Sequence, residues 1–340
     1  MAVRAGGAVE AIDAYVAQRA CASGYHRPAW LGVIERAFSH ETRYLVAEAG
    51  GTVAGVLPLV FFSSRLFGRF AVSIPFVNYG GIVADTPECA RALLDAAIEE
   101  TAKSGGAHLE LRHTTAMCAG LPARRHKVAM HLPLEATVEL QWARLDRKVR
   151  NQVRKAEKSG VQTEVGGAEL LDAFYGVFAR NMRDLGTPVY DRRFFEEILR
   201  TFPETTRILL ATVGGRPAAA SLLYWHRGVI EVPWASAIRD FNALCVNVLL
   251  YWQMLQFAVT SGFRVFDFGR STPGEGTFRF KQQWGAQPRE LVWEYWTASG
   301  QPLPDLSPNN PKYRFAIHAW QRLPLTIATA VGPAIVRHIP

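Results

Sequence analysis

The chain has 340 residues, too many for one ordinary core and comfortable for two domains. Apolar residues make up 49% and charged residues 20%, a globular balance that excludes disorder over any long stretch. A formal net charge of +8 favours an anionic partner (a phosphate-bearing ligand, an RNA or an acidic membrane face) without choosing among them.

Cysteines at Cys21, Cys89, Cys118 and Cys245 form no CxxC pair, so neither a zinc knuckle nor a disulfide framework is written here, and a reducing cytoplasmic home fits. The opening MAVRAGGAVEAIDAY lacks the apolar core of a signal peptide. No stretch approaches the roughly 20 apolar residues needed to span a bilayer. The longest, Leu323 to Ile339, is broken by Pro324 and Pro333 and carries Arg337 and His338.

The first informative element is a hairpin over residues 44–60, YLVAEAGGTVAGVLPLV, turning at Gly50/Gly51. A helix and strand follow in ARALLDAAIEETAKSGGAHLELR, the helix stopping at a Ser-Gly pair where glycine suits the left-handed position. His108 and His113 flank Glu110 on that strand, but five residues apart they point to opposite faces and make a poor metal site. The same order recurs: a hairpin over 208–224 turning at Gly214/Gly215, then a helix stopping at Ser-Gly and a strand in LLYWQMLQFAVTSGFRVFDFGR. Glu110 and Asp267 take matching places in the two strands, each with an arginine beyond. The echo predicts a duplicated α/β unit; chance similarity of two α/β segments is the alternative.

Between the copies, Leu145, Val149, Val153 and Ala156 recur at helical spacing. The other faces of this helix carry Arg144, Arg147, Lys148, Arg150, Arg154, Lys155 and Lys158, which either track phosphates or form a solvated face. The boundaries read as an N-terminal domain over 1–139, a C-terminal domain over 140–300 and a tail over 301–340. The tail is proline-rich, then apolar, and is expected to return to the first domain or lie on a membrane surface.

The densest cluster is FDFGRSTPGEGTFRFKQQWGAQP, from Phe266 to Pro288. A strand ends near Asp267, Gly269, Gly274 and Gly276 make a close-approach loop, and a short helix begins near Thr277 with Lys281 one turn on. Ligands gather at the carboxyl ends of strands in such sheets. The alternatives are an ordinary turn and a structural Asp267–Arg270 ion pair. Aromatic residues near the loop are core or wall a channel for an acyl or sugar group. No nucleophile elbow or serine–histidine–aspartate order supports a covalent acyl-enzyme.

At these residues the chain resembles the FemAB family of tandem GNAT-like transferases. DFGRSTPGEGTFRFKQQWG with the preceding helix and strand resembles the family's C-terminal GNAT module, RKVRNQVRKAEKSGV its opening, and IPFVNYGGIVAD with HLELRH the partner module. The closing NPKYRFAIHAWQRLPLTIATAVGPAIVRHI resembles FemAB-related proteins associated with PEP-CTERM/exosortase and exopolysaccharide systems. The resemblance implies an α/β (α+β) fold of two acyl-CoA N-acyltransferase-like domains and transfer of an acyl group to an amine of an anionic envelope or polysaccharide precursor. It implies no metal and no bound cofactor; an activated donor, aminoacyl-tRNA or acyl-CoA, is co-substrate. Lys281 matches the lysine of the family's F-K-x-x-F/W-G stretch, and with Asp267 it is the expected catalytic pair. Arg270, Gly274, Gly276, Trp284, Arg147, Lys148, Arg150, Asn151 and Tyr190 are the expected substrate-binding residues. The amine, held in a cleft between the domains, would attack the acyl carbonyl directly while Lys281 stabilises the oxyanion or anchors a phosphate. Two departures leave the donor open: no long coiled-coil insertion like that used with tRNA, and no Q/R-x-x-G-x-G/A pyrophosphate loop. The rival expectations are a non-catalytic glycan- or lipid-precursor-binding accessory protein, docking on the inner membrane by its tail, and a CoA-dependent N-acyltransferase.

Overall fold

The computed structural model describes residues 2–64, 67–118, 120–298 and 311–340, with backbone alone over 311–315. They fall into two compact units. The first unit draws on Met1–Lys127, Glu290–Leu306 and Arg337–Pro340. Its elements are β1 (Ala2–Ala5), α1 (Val9–Gln18), α2 (Ala29–Phe38), β2 (Glu41–Ala49), β3 (Thr52–Ser64), β4 (Gly68–Val72), β5 (Val83–Ala84), α3 (Pro87–Lys103), β6 (His108–His113) and β7 (Ala123–Arg124), joined by β15 (Val292–Thr297). The sheet runs β1-β2-β3-β4-β6-β15-β7, with β5 on β3. Among the described residues, β4 and β6 form the one parallel pair of this sheet, across the α3 crossover.

The second unit holds β8 (Val128–Pro133), α4 (Val138–Arg144), α5 (Arg147–Lys158), β9 (Val161–Gly166), α6 (Leu171–Leu185), α7 (Arg192–Thr201), β10 (Thr206–Val213), β11 (Arg216–His226), β12 (Val229–Ala237), α8 (Val246–Thr260), β13 (Val265–Ser271), α9 (Gly276–Gln282), β14 (Gln287–Glu290), α10 (Pro311–Gln321) and α11 (Leu325–Val336). Its sheet runs β14-β8-β13-β12-β11-β10-β9, and β12 and β13 pair in parallel across α8.

The repeated signals produce repeated elements. Both Gly-Gly pairs have positive φ at both positions (59° and 80°, 54° and 74°), which lets a two-residue turn follow the twist of the strands. Helices α3 and α8 each end on a serine cap followed by a left-handed glycine, Gly105 at 74° and Gly262 at 77°. Helix α3 starts on Thr86, whose hydroxyl accepts from the amide of Cys89 at 3.2 Å, with Pro87 at the first helical position. Helix α8 is apolar all round and buried on nearly every side, against α5 and the strands. The expected inner face of α5 is confirmed: Leu145, Val149, Val153 and Ala156 lie in the second core. Asp146 caps that helix, accepting from the amide of Lys148 at 2.7 Å.

Two boundaries differ from the sequence reading. The second unit begins at Val128 rather than near residue 140, because β8 pairs antiparallel with β13. Conversely β15, expected in the second domain, pairs with β6 in the first. The last residues, Arg337–Pro340, belong to the first unit, where the guanidinium of Arg337 donates to the carbonyl of Phe38 at 2.6 Å. Helices α10 and α11 lie instead on α6 of the second unit. Among the described residues, no helix is long and apolar enough to cross a membrane.

Glycine sets that last contact. A Cβ at Gly332 would stand 2.7 Å from both backbone N and O of Val189, and backbone cannot yield as a flexible side chain can. Gly332→Ala is expected to cost roughly 1–3 kcal/mol in chemical unfolding by forcing α11 off this loop.

Candidate functional site

The site grows from the parallel pair of the second unit. Pairing runs through Val229↔Val265 and Ile230↔Phe266 and ends at Glu231↔Asp267. On its other edge Asp267 lies opposite His131 of β8. Register partners share a face, so Glu231, Asp267 and His131 stand abreast on three adjacent strands. Phe266 and Phe268 alternate with Asp267 and enter the core, which leaves the row on the opposite face.

Just beyond Asp267, the β13–β8 register shifts between Asp267 and Arg270. Gly269 sits in this irregularity at φ 72°, the left-handed residue that a bulge of this kind takes. The Asp267 carboxylate fixes the turn by accepting from the amide of Gly269 at 2.8 Å. The carbonyls of Gly269 and Arg270 are turned to Lys281, whose Nζ donates to them at 3.2 and 2.8 Å. Helix α9 is thereby anchored to the bulge through a buried ammonium.

Asp267 is 1% exposed, Glu231 6% and Lys281 8%, so these groups are largely withdrawn from water. Desolvation pulls Lys281 down to about 8, against the attraction of Asp267 and Glu231, while the nearby charge of Arg270 adds to the lowering. Nε2 of His131 lies 3.3 Å from Oδ2 of Asp267, not aligned for a hydrogen bond; its side chain is 31% exposed and the carboxylate 2%. The row thus has two buried acids and one imidazole that reaches solvent, with a buried amine beside it, the elements of proton transfer beside a fixed charge.

The first unit closes the equivalent place. There β4–β6 pairing ends at Val72↔Glu110. The chain after β4 stays on β6: Ser73 N donates to Glu110 O at 2.9 Å, Arg112 N to the Ser73 hydroxyl at 2.8 Å, and Gly80 N to Arg112 O at 3.0 Å. Glu110, the counterpart of Asp267, is ion-paired with Arg112 at 2.6 Å.

Of the residues expected from sequence, Asp267, Arg270 and Lys281 come together. Gly274 has φ 82°, but a Cβ at Gly274 or Gly276 would meet open space, so no close approach requires either glycine. Trp284 is buried in the core among Tyr251 and Phe280 rather than lining a channel. Tyr190 stacks on Phe178 at 6.0 Å in an aromatic group on α6 and α7. Arg147, Lys148 and Asn151 line an open depression of their own with Asp146, Gln152 and Lys155; Arg150, on the same helix, is half-buried. No hydrogen bond or ion pair among the described residues joins them to Lys281. The sequence reading missed Glu231, His131 and Ser271, whose buried hydroxyl has no hydrogen-bond partner. Each lies in an ordinary strand, and only register reveals the first two.

This architecture has known counterparts. Residues 143–282 match a family model described as acetyltransferase (GNAT) domain. No curated protein matches the chain by sequence. Among solved structures, FemX superposes with a TM-score of 0.68 at 14% identity, over 93% of this chain and 100% of that one. A tandem GNAT protein from the clavulanic acid biosynthesis pathway superposes at 0.53 and 14% identity, over 87% and 94%. The C-terminal DUF2156 domain of a candidate lysylphosphatidylglycerol synthetase from Agrobacterium fabrum superposes at 0.56 and 13% identity, over 84% and 90%. The fold is two tandem GNAT-like units. The matched segment runs from the end of α4 to the end of α9, so it contains Glu231, Asp267 and Lys281.

The buried amine gives this site a pH signature. Between about 8 and 10.5 the folded chain has released the Lys281 proton while the unfolded chain still holds it. Stability conferred at this position therefore rises with pH across that window. The unfolding free energy of the wild type relative to Lys281→Met is expected to increase by about 3 kcal/mol on going from the lower to the upper limit. A flat difference would mean that the ammonium is not desolvated.

Proposed function

We propose that the chain transfers an acyl or aminoacyl group from an activated donor to an amine of a cell-envelope or exopolysaccharide-related precursor, with the chemistry in the second unit. The observation that carries this reading is the row Glu231–Asp267–His131 beside Lys281, at the point where β12 and β13 cease to pair. The first unit frames rather than reacts: its equivalent carboxylate is neutralised by Arg112 and its strand end is occupied by its own chain.

The acceptor amine attacks the donor carbonyl, forming the C–N bond and breaking the C–O or C–S bond to the donor. The amine proton passes to His131, whose resulting charge the Asp267 carboxylate 3.3 Å away offsets, and the leaving oxygen or sulfur takes up a proton. An ammonium has three N–H groups; Lys281 gives two to backbone carbonyls and keeps one for the developing oxyanion or a donor phosphate. The depression on α5, bordered by Arg147, Lys148 and Lys155, suits the phosphates of aminoacyl-tRNA or acyl-CoA, or of a polyprenyl- or nucleotide-linked acceptor. The fold of FemX and of the A. fabrum domain, and the resemblance of the closing segment to exosortase-associated proteins, favour an envelope acceptor. On α11, Ile327 and Val331 are 46% and 44% exposed, which supports a peripheral membrane contact at the inner membrane rather than a span.

Purified protein is to be melted with acetyl-CoA and long-chain acyl-CoA, charged and uncharged tRNA, and nucleotide- or lipid-linked sugars. One donor class is expected to raise the unfolding midpoint. With that donor, Lys281→Met should lower turnover by roughly 100- to 1000-fold and His131→Ala by at least about 100-fold, both retaining the wild-type circular dichroism spectrum. If tRNA is the donor, its affinity should fall steeply with salt and Lys148→Ala should reduce the slope. Stabilisation by glycan or lipid alone, with no donor effect, would replace transfer by a precursor-binding role.

A further inference from the structure

A second cluster, in the first unit, takes no part in this chemistry. His113 ends β6 and pairs with Val292 of β15, while Leu111 pairs with Glu294. His113 and Glu294 are therefore diagonal neighbours on one face, and Nδ1 lies 2.7 Å from Oε2. The turn after β6 brings Cys118 to the same place. Nitrogen, sulfur and oxygen atoms of the three side chains all lie within 4.8 Å of one another, and all three residues are buried.

The surroundings hold these groups in position. The amides of Met117 and Cys118 donate to the Glu294 carboxylate at 3.0 and 3.1 Å. The imidazole of His113 fills a space that only glycine leaves: a Cβ at Gly81, where φ is +93°, would stand 2.2 Å from its Cδ2. His113 is 2% exposed, yet its Nε2 makes no hydrogen bond. Burial, reinforced by the charge of Glu294, pushes the Cys118 thiol up to about 12, where it is inert as a nucleophile.

We propose that His113, Cys118 and Glu294 bind one divalent ion of the zinc class, as a structural site that clamps β15 to the end of β6. Imidazole, thiolate and carboxylate together suit zinc, which takes nitrogen, sulfur and oxygen tetrahedrally, and not magnesium or calcium, which select oxygen. Binding forms the sulfur–metal bond and releases the thiol proton to solvent. The ion's two positive charges then balance one thiolate and one carboxylate, so that the burial of two acidic groups side by side ceases to be a cost. Backbone amides already orient the carboxylate, as outer groups do in metal sites. The ligands are far apart in sequence (Cys118 and Glu294 by 176 residues), so the ion would add a further tie across a long loop.

The test uses the full-length chain, stripped with a chelator, and cobalt(II) as a spectroscopic stand-in for zinc. One equivalent of cobalt should produce a thiolate-to-metal charge-transfer band and the visible bands of a four-coordinate ion, and zinc should raise the unfolding midpoint. Cys118→Ser should lose the charge-transfer band although Cys21, Cys89 and Cys245 remain. Glu294→Gln and His113→Ala should weaken binding by more than the roughly 10- to 100-fold typical of outer-sphere changes. Should Cys118→Ser fail to fold, proton release on adding zinc to the wild type reports on the same thiol: one proton per ion supports the site. No proton release, no band and no thermal shift in the wild type, or a band that survives Cys118→Ser, would overturn the proposal.

Discussion

The parallel pairing of β12 with β13 stops at Glu231 and Asp267, and the polar arrangement of the second unit depends on that stop. A continuous sheet would bury its backbone groups in a ladder and offer a ligand nothing but side chains. Here the ladder ends, β13 bulges at Gly269, and two carbonyls turn aside to be met by the ammonium of Lys281. One glycine with positive φ thus turns a strand end into a seat for a buried charge. The same topology in the first unit shows the alternative outcome, since Ser73 and Gly80 continue the hydrogen bonding along β6 and leave Glu110 to an arginine. The two units share one frame, and local sequence after β4 and after β12 separates the strand end that its own chain occupies from the one that carries the buried acids and Lys281.

Burial and charge then divide labour among the site residues. Asp267 is almost fully enclosed and accepts from the Gly269 amide, with the half-buried His131 imidazole beside its other oxygen. Lys281 combines anchoring with electrostatics, because the contacts that hold α9 in place also hold its charge in a dry environment. A preorganised charge of this kind needs no reorganisation when a reaction develops negative charge nearby.

Much of the fold was legible because its signals are local. The Gly-Gly turns, the Ser-Gly helix ends and the inward stripe Leu145–Val149–Val153–Ala156 each act within a few residues, and each appears where the pattern places it. Lys281 was legible through family resemblance, and Asp267 through its place at a strand end. Glu231 and His131 were not, because a lone acid in VIEVPW and a lone histidine in VAMHLP look like ordinary strand residues until register sets them beside Asp267. The domain boundary failed for the same reason: strand partners separated by more than a hundred residues leave no trace in local periodicity. Tyr190 and Trp284 show the opposite error, where aromatic character that reads as a binding wall is spent on packing.

The return of β15 to the first sheet means that neither unit is one unbroken stretch of chain. As the polypeptide leaves the ribosome, β6 acquires its second neighbour only after the whole second sheet has been made, so the first unit spends most of synthesis with an exposed edge at β6. Gene fragments cut near residue 140 would each carry an unpaired edge and a misplaced strand. Independent evolution or transplantation of either half would require the two strands to be reassigned together, which ties the halves into a single heritable piece.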